Sequence, residues 1–134
     1  MLKQVLILVA SSLLTLNALA GSSASCGSQI NCKPGEKSRC EMVNGSTTVF
    51  NQVSYLNLTT STSLFLRDLY AYKIGSVGIV DCYYSQEDQP ENWLVFKTSK
   101  IHNVIPRDHS EWVKRDDMLH CDPDLNTCLL YVLY

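Results

Sequence analysis

Six cysteines, all downstream of an apolar leader, constrain this chain more than any other feature. They are Cys26, Cys32, Cys40, Cys82, Cys121 and Cys128. Residues 1–20 have the three parts of a cleavable export signal. Lys3 supplies the charged start, Val5 to Leu16 the short apolar core, and Ala18-Leu19-Ala20 a small-x-small cleavage site before Gly21. Ser11, Ser12, Thr15 and Asn17 interrupt the apolar run, which falls short of the roughly 20 residues of a spanning helix. Ser23-Ala24-Ser25, just before Cys26, lacks the branched apolar residue of a lipid-anchor signal. The expectation is an exported protein, periplasmic or extracellular, with no stable membrane insertion after cleavage. In that oxidising setting an even number of cysteines reads as a disulfide framework.

Spacing supports disulfides over other cysteine chemistry. Structural zinc and thiol redox sites both favour close C-x-x-C pairs, and none occurs. No metal site and no cofactor is expected. Sequence does not choose among the possible pairings, but geometry favours one scheme. Cys121 and Cys128 bracket the turn sequence Asp122-Pro123-Asp124-Leu125-Asn126 and would close a hairpin. Cys82 lies in a core strand and would reach back to the N-terminal group. The third bridge would lie inside that group.

The chain has 134 residues and a formal net charge of −2. Without its leader it is the size of one domain. Lys33, Lys37 and Arg39 alternate with Glu36 and Glu41, so no basic patch suggests nucleic acid. Residues 21–48 form a cysteine-containing segment rich in Gly, Ser, Asn and Lys. It is expected to be loose at its start and to supply little core. Residues 49–134 read as an antiparallel β domain, and 21–134 as one globular unit.

Within that domain, Val49 to Leu58 and Leu64 to Ile74 are candidate strands. The second is ambiguous. Leu64, Leu66, Tyr70, Tyr72 and Ile74 share one face at period two, a pattern spoiled by Asp68, while Leu66, Leu69, Tyr70 and Lys73 fall at helical spacing. The Tyr content favours the strand. Gly75-Ser76 is a turn. Val77 to Tyr84 puts Val80, Cys82 and Tyr84 on one face and Ile79, Asp81 and Tyr83 on the other. Gln86 to Glu91 is an acidic turn, and Trp93 to Thr98 returns as a hairpin partner. Ser110 to Met118 is compatible with a short helix, Ser110 being its N-cap, or with a strand. Cys128 to Tyr134 is an apolar final strand that needs neighbours. The predicted fold is mainly β: a small antiparallel sheet or sandwich, disulfide-stabilised, with at most one or two short helices.

No catalytic motif stands out, and no catalytic residue is assigned. Asp122, Asp124 and Asn126 open like a calcium loop, but Thr127 and Leu133 stand where glycine and glutamate are required. His102, His109 and His120 lie in no metal-binding or triad pattern. Among Glu87, Asp88, Glu91, Asp108, Glu111, Asp116 and Asp117 no glycosidase pair is identifiable by spacing, since that pair is defined by distance across a cleft. Asn44 and Asn57 begin N-glycosylation patterns, which matter only in a eukaryotic secretory route. The aromatics Tyr70, Tyr72, Tyr83, Trp93 and Trp112 are the candidate binding surface, set against the alternative that both sheet faces are covered and these are core residues.

Cys82-Tyr83-Tyr84, the strand Trp93 to Lys97, Trp112 and the closing Cys121 and Cys128 resemble small exported bacterial domains of unknown function. The resemblance covers about residues 75–130 and implies a compact β domain outside the cytoplasm. It brings no activity or site residue with it. The leading expectation is an exported, non-enzymatic binding module for a protein or a surface glycan. Its competitors are a small secreted hydrolase using His120 or His109 with nearby carboxylates, and a metal-binding exported protein.

Overall fold

The computed structural model describes residues 22–107 and 111–133. The leader, and Asp108, His109 and the proposed N-cap Ser110, lie outside them. The described chain is mainly antiparallel β and contains no α-helix.

A meander of β5 (Thr62–Ile74), β6 (Val77–Gln86) and β7 (Gln89–Thr98) forms the centre. Gly75 sits in the first hairpin turn at φ 64°, a left-handed conformation that glycine adopts without a Cβ clash. Register places Leu69 opposite Cys82, Cys82 opposite Phe96, and Tyr84 opposite Leu94. With Val80 these side chains are buried, so alternation along β6 does give one apolar core face.

The other edge of β5 serves two partners in succession. β2 (Gln29–Cys32) pairs with Thr62 to Phe65, and β10 (Met118–Cys121) pairs with Leu69 to Ala71. β3 (Cys40–Val43) extends the sheet beyond β2, β9 (Val113–Arg115) beyond β10, and β4 (Phe50–Gln52) beyond β7. A β-bulge falls between the two pairings: Leu66 faces Tyr84, Asp68 faces Tyr83, and Arg67 is the extra residue. The bulge reverses the facing of everything after it. Leu64 and Leu66 point inward before it, Leu69 and Ala71 after it. Tyr70 and Tyr72 are therefore on the opposite face from Leu64 and Leu66, contrary to the simple period-two expectation.

The curled sheet nearly closes on itself. β3 and β4 share no backbone ladder, and the Gln52 side chain bridges them instead. Its Oε1 accepts from the Cys40 N–H at 2.9 Å, and its Nε2 donates to the carbonyls of Ser38 at 2.8 Å and Ser54 at 3.1 Å. A small second sheet of β1 (Ser22–Ala24), β11 (Leu130–Leu133) and β8 (Asn103–Pro106) has the C-terminal strand in its middle, flanked on both edges. It approaches β6 at Gly78. A Cβ there would lie 2.4 Å from the Val104 carbonyl oxygen, and the Gly78 N–H donates to Asn103 at 2.7 Å. Val104, Leu130 and Val132 join the same core as Ile30, Leu64, Val80, Cys82 and Leu94.

Three disulfides link Cys26 to Cys82, Cys32 to Cys40 and Cys121 to Cys128. Cys82 reaches the N-terminal group, as its core position suggests. The Tyr84 hydroxyl, two residues on, donates to the Gly27 carbonyl at 2.7 Å, so the phenol is fully buried yet satisfied. Three expectations need correction. The Cys121–Cys128 bridge does not close a hairpin, because β10 and β11 belong to different sheets. The N-terminal segment does supply core, through Ala24, Ile30, Cys32 and Met42, because β1, β2 and β3 each pair into a sheet over it. Val49 to Leu58 is strand only over Phe50–Gln52, where β7 offers an edge. Of the two alternatives for Ser110 to Met118, the described part takes the strand, β9, followed by a turn into β10.

The bridges should differ in weight. In the chain-entropy model, replacing Cys26 and Cys82 by serine costs about 4 kcal/mol, because the bridge spans 56 residues. Replacing Cys32 and Cys40, 8 residues apart, costs about 2–3 kcal/mol. Urea unfolding of the two double variants measures this, and equal losses would contradict it. Gln52→Ala should cost about 1–2 kcal/mol in the same assay, since it strips a partner from the Cys40 N–H.

Candidate functional site

The phase set by the bulge decides what the outer sheet face carries. After Arg67, the outward residues of β5 are Asp68, Tyr70 and Tyr72. His120 on β10 stands directly opposite Tyr70, and Asp81 on β6 stands on its other side. Tyr83 faces Asp68 on one side and Val95 of β7 on the other, with Trp93 diagonal to it. The outcome is a continuous aromatic array across three strands. Tyr70 and Tyr83 meet at 5.4 Å between ring centroids and 79° between planes, and Tyr83 and Trp93 at 5.7 Å and 86°. Both contacts have the edge-to-face geometry that the ring quadrupoles favour. Trp93 is 40 % exposed, and Tyr70, Tyr72 and Tyr83 are half-buried.

Trp112 is not part of this surface. It is buried in the core just before β9, 4 % exposed, so its place in the expected aromatic face is corrected. Its position in the sequence, between Glu111 and Val113, carried no sign of which way the ring turns.

Two polar arrangements flank the rings. His120 is buried and stacks against Tyr70 at 4.8 Å. Its Nε2 lies 2.6 Å from Asp68 Oδ1. A carboxylate only accepts, so the imidazole N–H donates. On the other side, the Tyr72 hydroxyl donates to Asp81 Oδ1 at 3.2 Å, and Lys97 Nζ lies 3.8 Å from the same oxygen. Burial pushes the Asp81 carboxyl above its ordinary value, with Lys97 and the Tyr72 hydrogen bond opposing it. Burial likewise raises the phenols of Tyr72 and Tyr83, and the negative charge of Asp81 adds to both.

The β9–β10 turn rises beside the array and makes a cleft of about 430 Å³. Asp68, Tyr70, Tyr83 and Trp93 line it from the sheet, and Arg115, Asp116 and Met118 from the hairpin. Asp116 sits in the turn at φ 53°, a conformation that aspartate tolerates better than most residues. His120 does not line the cleft; it holds Asp68 from behind. A larger groove of about 580 Å³ lies at the seam between β3 and β4, bordered by Met42, Phe50, Gln52 and Tyr55. There the Gln52 amide already meets the open backbone groups of Ser38 and Cys40.

The cleft gathers Tyr70, Tyr83 and Trp93 from the sequence-derived surface and places Tyr72 next to it. Asp68, Arg115 and Met118 were not anticipated. Only Asp68 left a trace, as the residue that broke the alternation of its strand. All six cysteines are in disulfides. Among the described residues no three His, Cys, Asp or Glu side chains group closely enough to hold a metal ion. Asp122, the start of the calcium-like sequence, instead caps its own turn by accepting from the Asp124 N–H at 2.9 Å. Asn44 and Asn57 are both exposed. No family model, curated protein or solved structure matches the chain.

The Asp81 environment predicts a pH response. The native state holds this proton to higher pH than the unfolded chain does. Its favourable contribution is present below the ordinary value of 3.8 and is lost as pH rises through the raised native value. Asp81→Asn should therefore gain stability relative to the parent between about pH 3 and about pH 7. Thermal melts across that range test it; a constant difference would mean that Asp81 does not titrate abnormally.

Proposed function

We propose that this protein is an exported binding module that engages its partner through the outer face of β10, β5, β6 and β7. The observation that carries the reading is the contiguous Tyr70, Tyr83 and Trp93 array, open to solvent at Trp93 and bordered by a cleft. Rigid aromatic side chains bring large contact area with little rotamer entropy to lose, and they recur at the energetic centres of interfaces. Here they stand on the central strands of a disulfide-braced sheet, which holds their geometry before any partner arrives.

The compartment fits this role. Three disulfides suit an oxidising environment, and no helix among the described residues is long and apolar enough to cross a membrane. The leader-like residues 1–20 support export by cleavage. A partner met there is a protein or a glycan of the cell surface or its surroundings.

The test is co-sedimentation of the mature protein with washed cell envelopes of its source. The parent and Ile101→Ala, which alters an 88 % exposed apolar residue outside the array, should sediment together with the envelopes. Trp93→Ala should remain at least tenfold more in the supernatant. Equal sedimentation of all three proteins, or of none, would contradict the reading.

A further inference from the structure

We propose that the cleft between Trp93 and the β9–β10 turn binds a neutral, polyhydroxylated ligand, namely a pyranose unit of a glycan. This rests on the reading of the aromatic face as the binding surface and names the ligand class for it.

The lining carries both signs of charge, two carboxylates and one guanidinium. Asp68 and Asp116 would repel an anion, and Arg115 would repel a cation. No described residue forms an ion pair with Arg115, so its guanidinium remains available to a ligand. A neutral ligand rich in hydroxyls meets no such penalty. Its hydroxyls donate to the carboxylates and accept from the guanidinium, and such charge-assisted hydrogen bonds are the stronger kind.

Asp68 is built for this use. Its Oδ1 is fixed by the buried His120 at 2.6 Å, and its side chain is 28 % exposed. The imidazole therefore orients a carboxylate whose Oδ2 has no hydrogen-bond partner among the described residues. A second-layer group that holds a ligand-binding group in one rotamer is the usual device for precise recognition.

The apolar part of the lining is also particular. Apart from Met118 it is aromatic, and both ring pairs are close to perpendicular. Edge-to-face neighbours do not cover each other as a stack does, and 40 % of Trp93 remains open. A pyranose ring has one face of C–H bonds, weakly positive at hydrogen, which matches the negative face of an indole or phenol. Its hydroxyls then project around the ring toward the polar groups at the rim. A cleft of about 430 Å³ is within the usual range of small-ligand sites.

The experiment is an array of neutral hexose and N-acetylhexosamine oligomers, printed with sulfated and uronate oligomers, and a separate titration with choline as the cationic probe. The expected result is binding confined to neutral oligomers. In calorimetric titration of the strongest neutral oligomer, Trp93→Ala should weaken binding at least tenfold. Arg115→Ala, at an exposed position where folding is not at stake, should weaken it about tenfold. Binding of charged oligomers or choline alone, no binding at all, or neutral-oligomer affinity unchanged in both variants would each overturn the proposal. If the array is blank while envelope sedimentation still depends on Trp93, the glycan assignment fails and the binding surface stands.

Discussion

One inserted residue, Arg67, governs the layout of this molecule. β5 is too long for a single partner on its β2 side, and the sheet solves this by pairing its first half with β2 and its second with β10. Because side chains alternate with a period of two, adding one residue between these halves exchanges the two faces. Without the bulge, Tyr70 and Tyr72 would follow Leu64 and Leu66 into the core, and Leu69 and Ala71 would face solvent. With it, the core receives small and aliphatic groups that pack against Cys82 and Val80, and the outer face receives the phenols. Arg67 itself donates to the Ser85 hydroxyl at 3.3 Å, across the strand pair where the register shifts.

The same dependence explains the braces. A sheet whose ends meet through the Gln52 side chain and a few backbone hydrogen bonds, Ser38 to Leu56 and Gly35 with Leu58, has two short edge strands, β3 and β4, with few ladder bonds of their own. The Cys32–Cys40 bridge ties β3 to β2, directly across the register. The Cys26–Cys82 bridge ties the start of the described chain to the middle of β6. Cys82 lies in the core, and its neighbour Tyr83 points outward into the aromatic array. The covalent brace and the exposed rings thus share one strand on opposite faces.

How much of this was legible in the residues follows from which signals are local. Alternation along Val77 to Tyr84, the Gly75-Ser76 turn and the return strand from Trp93 are short-range patterns, and each produced its element. The reach of Cys82 to the N-terminal group followed from its place in an apolar strand. Bulges are different: Asp68 showed only that the pattern failed, not that the chain would answer with an extra residue. The N-terminal segment looked poor in core because it holds few apolar residues. Those few, Ile30 on β2 and Met42 on β3 among them, are buried because both strands pair into the main sheet over the core. Trp112 and Trp93 each follow a polar residue and precede an apolar one, Glu111 and Val113 in one case and Asn92 and Leu94 in the other, so nothing local distinguishes the buried ring from the open one.

The cleft depends on distant parts of the chain being held in register, and here the third bridge matters. One wall comes from the sheet and the other from the β9–β10 hairpin, whose ladder to β5 runs through Leu119, His120 and Cys121. Three paired residues are a slender attachment for a hairpin that carries Arg115 and Asp116. Two features strengthen it at the same end. His120 bonds to Asp68 across the β10–β5 pair, and Cys121 is tied to Cys128, just before β11 enters the middle of the second sheet. The hairpin is therefore anchored to both sheets at its base while its turn stands free beside Trp93. That division places rigidity where the carboxylate is oriented and leaves the charged turn open to a ligand.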